Sequence, residues 1–339
     1  MESETEGMID VRQRWEAQPE SLDLVRLILP HRDQGVPLYF QRIEPGHFMM
    51  GSRFGGAEEE PEHRVEIGEP FYLGTFPVTQ EQFACWTGSA AYGAWYEKAL
   101  AAGWLPSYAK GRHENENKGN PKHPAENLNW YDAVGYCDWL NAHGEALGIP
   151  EGWVARLPPE SHWEYACRAG SRTEYSSGDG EAALREVGWF YGEGSEHATK
   201  AVGGKRGNGW GLYDLHGNVW EWCLDEWSED AYRERIDRGN GLKEGRSLSG
   251  ADAALRVLRG GSWYRSARDC RSAYRRRNHP TYRIRIFGFR VALLPGPVKG
   301  KGPVEDEARK DGAPEVAESA RAENSTGRAE GLDLDRENF

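Results

Sequence analysis

RVLRGGSWYRSARDCRSAYRRRNHPTYRIRIFGFRV, residues 256–291, carries eleven arginines and one acid, Asp269, within a 339-residue chain of formal net charge −12. Trp263, Tyr264, Tyr274, Tyr282 and Phe287 alternate with the positive charge, and Gly260, Gly261 and Gly288 frame it. So local an inversion of charge has two physical readings. Either the stretch is a binding surface, or its arginines turn inward to carboxylates from the rest of the chain. The choice decides the fold and the function together.

Around this stretch the composition is aromatic and glycine-rich, with fourteen Trp and forty-two Gly. That favours an irregular, loop-rich fold with an aromatic core over an aliphatic α/β sheet. The acidic balance argues against a protein that coats nucleic acid. No run of about eighteen apolar residues occurs, so no membrane span is expected. The opening MESETEGMIDVRQRW has no apolar core of a signal peptide. Cys85, Cys137, Cys167, Cys223 and Cys270 are odd in number and sit among apolar neighbours, which fits reduced thiols and a cytoplasmic location.

Three regions follow from the pattern. Residues 1–37 hold one short amphipathic candidate, Leu22 to Leu29 before Pro30, read as a helical extension. The domain proper runs over 38–294. Residues 295–339 have almost no large apolar side chains and are expected to be disordered. Within the domain, PFYLGTFPVT reads as a strand, and Thr79 with Gln82 forms a capping box ahead of a short helix. Asn129 with Asp132 forms another, opening a helix that buries Trp130, Ala133, Val134, Cys137 and Leu140. A further helix follows RLPPE and buries Trp163, Ala166 and Cys167. Gly88–Pro124 and the polar stretch after Trp227 read as loops.

Several clusters could carry chemistry. In GLYDLHGNVWEW, Asp214 and Glu221 with turn carbonyls could offer oxygens to Ca²⁺, although two carboxylates are few for a cation that takes about 6–8 oxygens. The alternative is an aromatic corner whose acids pair with arginines. Glu160, His162 and Glu164 lie close together with no third ligand in view. Cys270 sits among arginines that could lower its pKa, and the arginines and tyrosines around it also suit single-stranded nucleic acid. No nucleic-acid motif accompanies them, which disfavours that partner.

GHFMMGS, PFYLGTFPVTQEQF, HPAENLNWYDAVGYCDWL, RLPPESHWEYACRAG, GLYDLHGNVWEW and RVLRGGSW…GFRV occur in this order. Together they resemble the formylglycine-generating enzyme (sulfatase-modifying factor) domain over Leu38–Leu294. The resemblance implies an irregular α+β domain of C-type-lectin-like topology with little regular secondary structure. It also implies a Ca²⁺-binding loop at Asp214, Gly217, Val219 and Glu221. Enzymes of the family use Cu(I) held by two cysteines five residues apart after GGS. Here those positions are Arg265 and Cys270, and an arginine cannot ligate Cu(I). No copper is therefore expected.

Leu258–Val291 also resembles the variable segment of proteins diversified by retroelements, which share this lectin-like fold. That resemblance implies a fixed scaffold of Leu258–Trp263, Ala267–Arg268, Cys270–Ala273, Arg275, Arg277, Pro280, Arg283 and Gly288–Arg290. Between them lie Tyr264, Arg265, Ser266, Asp269, Tyr274, Arg276, Asn278, His279, Tyr282, Ile284, Arg285 and Ile286. Each is reachable from an asparagine codon by changing adenines alone. One departure is that residues 295–339 follow a segment that usually ends the chain. The expected function is a non-enzymatic display of these twelve side chains to a protein or other macromolecular ligand, with Arg271, Arg275, Arg277 and Arg290 paired inward. The alternative is a formylglycine-generating or related copper/thiol oxidoreductase.

Overall fold

The computed structural model describes residues 24–30, 35–105, 113–115, 120–192, 198–237 and 254–296. The tail from 297 onward and residues 1–23 lie outside them, so the disorder expected there is not addressed. Helix starts follow their capping chemistry. The Thr79 hydroxyl accepts from the Gln82 N–H while the Gln82 side chain accepts from the Thr79 N–H at 2.8 Å, opening the helix Gln80–Thr87. Asn129 and Asp132 close the same reciprocal box at 2.8 and 2.9 Å ahead of the helix Trp130–Ala142. That helix buries Trp130, Tyr131, Tyr136 and Trp139 in the larger of the aromatic cores, against Phe83, Trp86 and Phe289.

Thirteen strands are described: β1 (Leu24–Leu29), β2 (Val36–Ile43), β3 (Gly46–Met50), β4 (His63–Ile67), β5 (Phe71–Gly74), β6 (Trp153–Arg156), β7 (Gly188–Trp189), β8 (His216–Gly217), β9 (Trp220–Glu226), β10 (Arg256–Arg259), β11 (Arg275–Asn278), β12 (Phe287–Gly288) and β13 (Ala292–Pro295). One sheet runs β1-β2-β5-β13-β6, all antiparallel, so the last strand inserts between two early ones and ties the domain's ends together. The second runs β11-β10-β9-β12, antiparallel except for β12 against β9. β3–β4 and β7–β8 are small pairs.

Three expectations are corrected. The N-terminal candidate is a strand: Leu24–Leu29 pairs with β2, burying Leu27 and Leu29 and leaving Ile28 out. Six residues alternating across a sheet edge fit a strand better than less than two turns of helix. Residues 90–101 form a helix inside the presumed loop, capped by Ser89 and burying Tyr92 and Ala99. Another helix, Ala231–Asp237, lies in the polar stretch after Trp227 and buries Tyr232 and Arg235.

The second sheet has two unlike faces, because residues directly opposite across strands share a side. Trp222, Leu258 and Arg276 form one row, and Trp220 and Phe287 another on the same face. Glu221, Arg259 and Arg275 form a row on the opposite face, toward the helix Glu160–Arg168. There Arg275 grips Glu160 with two bonds of 2.6 and 2.9 Å. Arg259 pairs with Glu164, and Arg168 meets the same carboxylate at 2.8 Å. Burial alone would raise the Glu160 pKa; the guanidinium groups of Arg275 and Arg259 overcome this and hold it below its ordinary value.

Removing the Glu160 carboxylate strands Arg275 in a site where it is 2% exposed. Glu160→Ala is therefore expected to cost about 3–5 kcal/mol in urea unfolding at neutral pH. A group whose folded pKa is depressed contributes stability above its unfolded pKa and loses it on acidification. The gap between Glu160→Gln and the parent should narrow below about pH 4.3, the ordinary Glu value. A gap that stays constant down to pH 3 would contradict this assignment.

Candidate ligand-binding surface

The turn after β10 starts the site. Gly260 and Gly261 take φ of 95° and 75°, a region that disfavours side chains. A Cβ on Gly261 would also stand 2.4 Å from the Cys270 sulfur. The turn therefore lies directly on Cys270. Ser262 and Trp263 are buried beyond it, and the chain emerges at Tyr264. From there burial alternates with position. Tyr264, Arg265, Ser266, Asp269, Tyr274, Arg276, Asn278, His279, Tyr282, Ile284 and Arg285 are exposed or half-buried. Between them, Cys270–Ala273, Arg275, Pro280, Arg283 and Phe287–Arg290 are buried.

Four residues depart from the expected division: Ala267 is half-buried and Arg268 exposed, and Ile286 and Arg277 change sides. Ile286 is 5% exposed and belongs to the core beneath the surface; its carbonyl accepts from the Trp220 N–H at 2.8 Å, which turns the residue inward. Arg277 points outward instead of inward. Its side chain is 44% exposed, lies over the Trp227 ring and pairs with Glu229 at the surface. Arg271, Arg275 and Arg290 do turn inward, and Arg283 joins them. Arg271 binds Glu59 at 2.6 and 2.9 Å, and Arg283 binds Asp132 at 2.7 and 2.8 Å.

The half-buried side chains stand on an aromatic floor. Trp220, Trp222, Trp263 and Phe287 are fully buried, and Trp222 meets Phe287 edge-on at 5.2 Å. Tyr274 packs on Trp220 at 5.8 Å, Tyr282 on Phe287 at 6.0 Å and Tyr264 on Trp263 at 5.3 Å. The Arg276 guanidinium lies 5.7 Å from the Trp220 ring and that of Arg285 5.2 Å from the Trp263 ring. Burial and then the neighbouring Asp269 carboxylate push the Tyr274 hydroxyl up, so it remains a protonated donor. Burial lowers the pKa of His279, whose Nδ1 lies 2.7 Å from the Thr281 hydroxyl.

Tyr191 extends the patch from outside the segment. It is 61% exposed, its ring meets Tyr264 at 6.3 Å, and its N–H donates to the Arg265 carbonyl at 2.9 Å. Nothing in its local sequence, WFYGEG, separates it from an ordinary loop aromatic.

The proposed cation loop is built differently from what a Ca²⁺ site requires. Both Glu221 oxygens accept from Arg290, at 2.6 and 2.7 Å, and one also accepts from the Trp163 indole at 2.7 Å. A cation at Glu221 would face that guanidinium. Asp214 accepts from the Gly203 N–H and the Asn218 amide, and burial pushes its pKa up to about 6. The Gly217 N–H donates to the Gly260 carbonyl at 2.6 Å, and Val219 is buried in the fold. Among the described residues no three His, Cys, Asp or Glu side chains gather to hold a metal. Arg290, Trp163, Gly203 and Asn218 thus engage the Glu221 and Asp214 carboxylates, an arrangement that matches the aromatic corner with arginine-paired acid.

Cys270 is equally unsuited to thiolate chemistry. It is fully buried against Tyr175, Leu184, Val187 and Phe190, and burial pushes its thiol pKa far up. His216 is a buried structural imidazole: its Nδ1–H donates to the Cys270 carbonyl at 2.8 Å, its Nε2 accepts from the Ser176 N–H, and burial lowers its pKa to about 4. Glu160 and Glu164 are committed to arginines, and His162 is pushed down to about 4 by burial.

Fold and surface together define a C-type-lectin-like domain with a half-exposed aromatic and cationic patch on one face of its second sheet. The sulfatase-modifying factor enzyme 1-like domain matches residues 38–294, and the chain belongs to that family. The formylglycine-generating enzyme of Streptomyces coelicolor is 29% identical over 305 residues, covering 74% of this chain and 88% of the enzyme. The serine/threonine-protein kinase pkn1 of Chlamydia pneumoniae is 34% identical over 255 residues, covering 74% of this chain. The chain spans only 37% of that kinase's length. Among solved structures, Treponema denticola variable protein 1 aligns with a TM-score of 0.57 at 24% identity, covering 79% of this chain and 98% of that one. PvdO from Pseudomonas aeruginosa aligns at 0.56 and 25% identity, covering 75% and 94%. Among the described residues no helix is long and apolar enough to cross a membrane.

Two outcomes follow from this geometry. Adding Ca²⁺ or a chelator to the purified protein should leave its melting temperature unchanged; a chelator-induced drop of several degrees would restore the cation loop. All five cysteines are free and buried, so a thiol reagent should label none of them in the native state and all of them in denaturant.

Proposed function

We propose that this chain is a ligand-binding protein that displays a diversifiable patch on a lectin-like scaffold, without catalysis at that patch. One observation carries the reading. Eleven of the twelve positions expected to vary are exposed or half-buried, while most of the residues between them, Ala267, Arg268, Arg277 and Thr281 excepted, are buried and several are paired. A surface meant to vary needs this division, since burial makes a residue costly to change and exposure makes it cheap. The composition suits contact: tyrosine supplies large area with little entropy to lose, and Arg, Ser, Asn and His supply adaptable hydrogen bonds. Likeness in fold to a variable protein is consistent with this reading.

The likeness to formylglycine-generating enzymes favours a second reading, a copper/thiol oxidase. Arg265 in place of a thiol and the buried Cys270 count against it. Cu(I) binding lost in Cys270→Ala, together with O₂-dependent oxidation of a cysteine peptide, would reinstate it.

Tolerance is the direct test. Substituting Ser266, Asp269, Asn278 and His279 together by alanine should change stability by no more than about 0.5 kcal/mol per site. The single change Arg283→Ala, which leaves Asp132 buried without its partner, should cost about 3–5 kcal/mol. If the combined surface variant unfolds as readily as Arg283→Ala, these positions are structural and the display reading is lost. Neighbouring DNA bearing a reverse-transcriptase gene and a near-copy of the segment with asparagine codons would support it independently.

A further inference from the structure

Resting on the display reading, we infer that the surface in this particular chain is set for an acidic protein partner: a peptide segment or protein face that presents carboxylates beside an apolar side chain. The charge on the patch is one-sided. Within the segment Arg265, Arg268, Arg276 and Arg285 are exposed or half-buried against the segment's single acid, Asp269, in a chain whose net charge is −12. Asp269 is itself engaged locally, accepting from the Ser266 hydroxyl at 3.1 Å and interacting with the Tyr274 hydroxyl. Among the described residues neither Arg265 nor Arg285 meets a carboxylate within ion-pairing distance, unlike Arg271, Arg275, Arg283 and Arg290 beneath them.

The cations are also positioned. Arg285 lies over Trp263, and Tyr264 stands on the same indole between Arg285 and Tyr191. A guanidinium held on an aromatic face keeps its N–H fork directed away from the ring and loses less entropy when a carboxylate docks. The backbone at Arg265 is fixed by the Tyr191 N–H on its carbonyl at 2.9 Å. Between the cations, Ile284 and Tyr282 are half-buried against the aromatic core and supply the apolar part of the contact. Phosphate-rich nucleic acid could use the arginines, but Ile284 offers it nothing, and the chain's overall negative charge would repel a long polyanion.

The test uses the full chain, immobilised and panned against a displayed random-peptide library. Enriched peptides are expected to combine Asp or Glu with an aromatic or aliphatic residue. Their affinity should fall by at least about tenfold in R265E/R285E, as two exposed charge pairs become repulsive. It should also fall steeply between low and physiological salt. Arg285 is exposed and Arg265 half-buried, neither with a carboxylate partner among the described residues, and an unchanged melting temperature in R265E/R285E shows that the fold is kept. Peptides without acidic bias, or with equal affinity for R265E/R285E, overturn the acidic-partner assignment while leaving display intact. Enriched peptides that bind equally well after alanine substitution of the whole exposed set, or no enrichment, count against display as well. Labelled oligo-dT binding that depends on Arg265 and Arg285, with no acidic peptides enriched, assigns the surface to nucleic acid instead.

Discussion

Five buried carboxylates receive five arginines from one short segment: Glu59 takes Arg271, Asp132 takes Arg283, Glu160 takes Arg275, Glu164 takes Arg259 and Glu221 takes Arg290. The partners lie 69 to 212 residues earlier in the chain, so each pair joins the segment to a different part of the fold. Such pairs add little net stability compared with well-packed apolar residues, because desolvation offsets most of their attraction. Their value is geometric. A guanidinium bonded at two points to a carboxylate fixes position and angle together, and a misplaced strand would leave charges buried without partners. Charge pairing thus selects one arrangement of a segment whose regular structure amounts to a few residues of strand.

That underside explains how the opposite side can be free. On β11 the strand's two-residue period sends Arg275 down to Glu160 and Arg276 up over Trp220. The pair below fixes the register, and the side chain above has only to rest on an indole. Elsewhere the alternation is irregular, but the same logic holds: Arg271 and Arg283 fix the backbone on either side of the half-exposed Tyr274–Tyr282 run. Asp132 shows how economically this is done. Its carboxylate accepts from the Asn129 N–H as a helix cap and from Arg283 as a counter-ion, so one buried acid starts a helix and holds the segment.

Much of this was legible in the sequence where local chemistry decides the outcome. The Thr79 and Asn129 capping boxes, the strand at Phe71 and the helix after Pro159 are short-range arrangements, and the ordered motifs carried the topology. The split of the basic segment into inward arginines and outward neighbours was legible because spacing and residue type both encode it. The misses were set by distant partners. Leu24–Leu29 is a strand because β2 offers it an edge, and the helix 90–101 packs Tyr92 on Trp86, and Trp95 closely against Gly135. Arg277 and Ile286 were assigned by residue type, but the pairing with Glu229 and a carbonyl bonded to Trp220 decide where they point. The partner of Glu221 was likewise out of local reach, since only the folded chain puts Arg290 on it.

The turn after β10 joins these themes. A linear two-thiolate site needs both sulfurs on the same side of a cleft and at least partly ionised. In this chain residue 265 is an arginine at the half-open surface, its backbone held by Tyr191. Residue 270 lies under the turn, pressed against Gly261 and closed in by Tyr175, Leu184 and Phe190. Restoring a thiol at 265 alone would still leave its partner protonated and shielded in an apolar pocket. Cys270 here works as a packing residue, seating the Gly260–Gly261 turn from which the exposed surface begins.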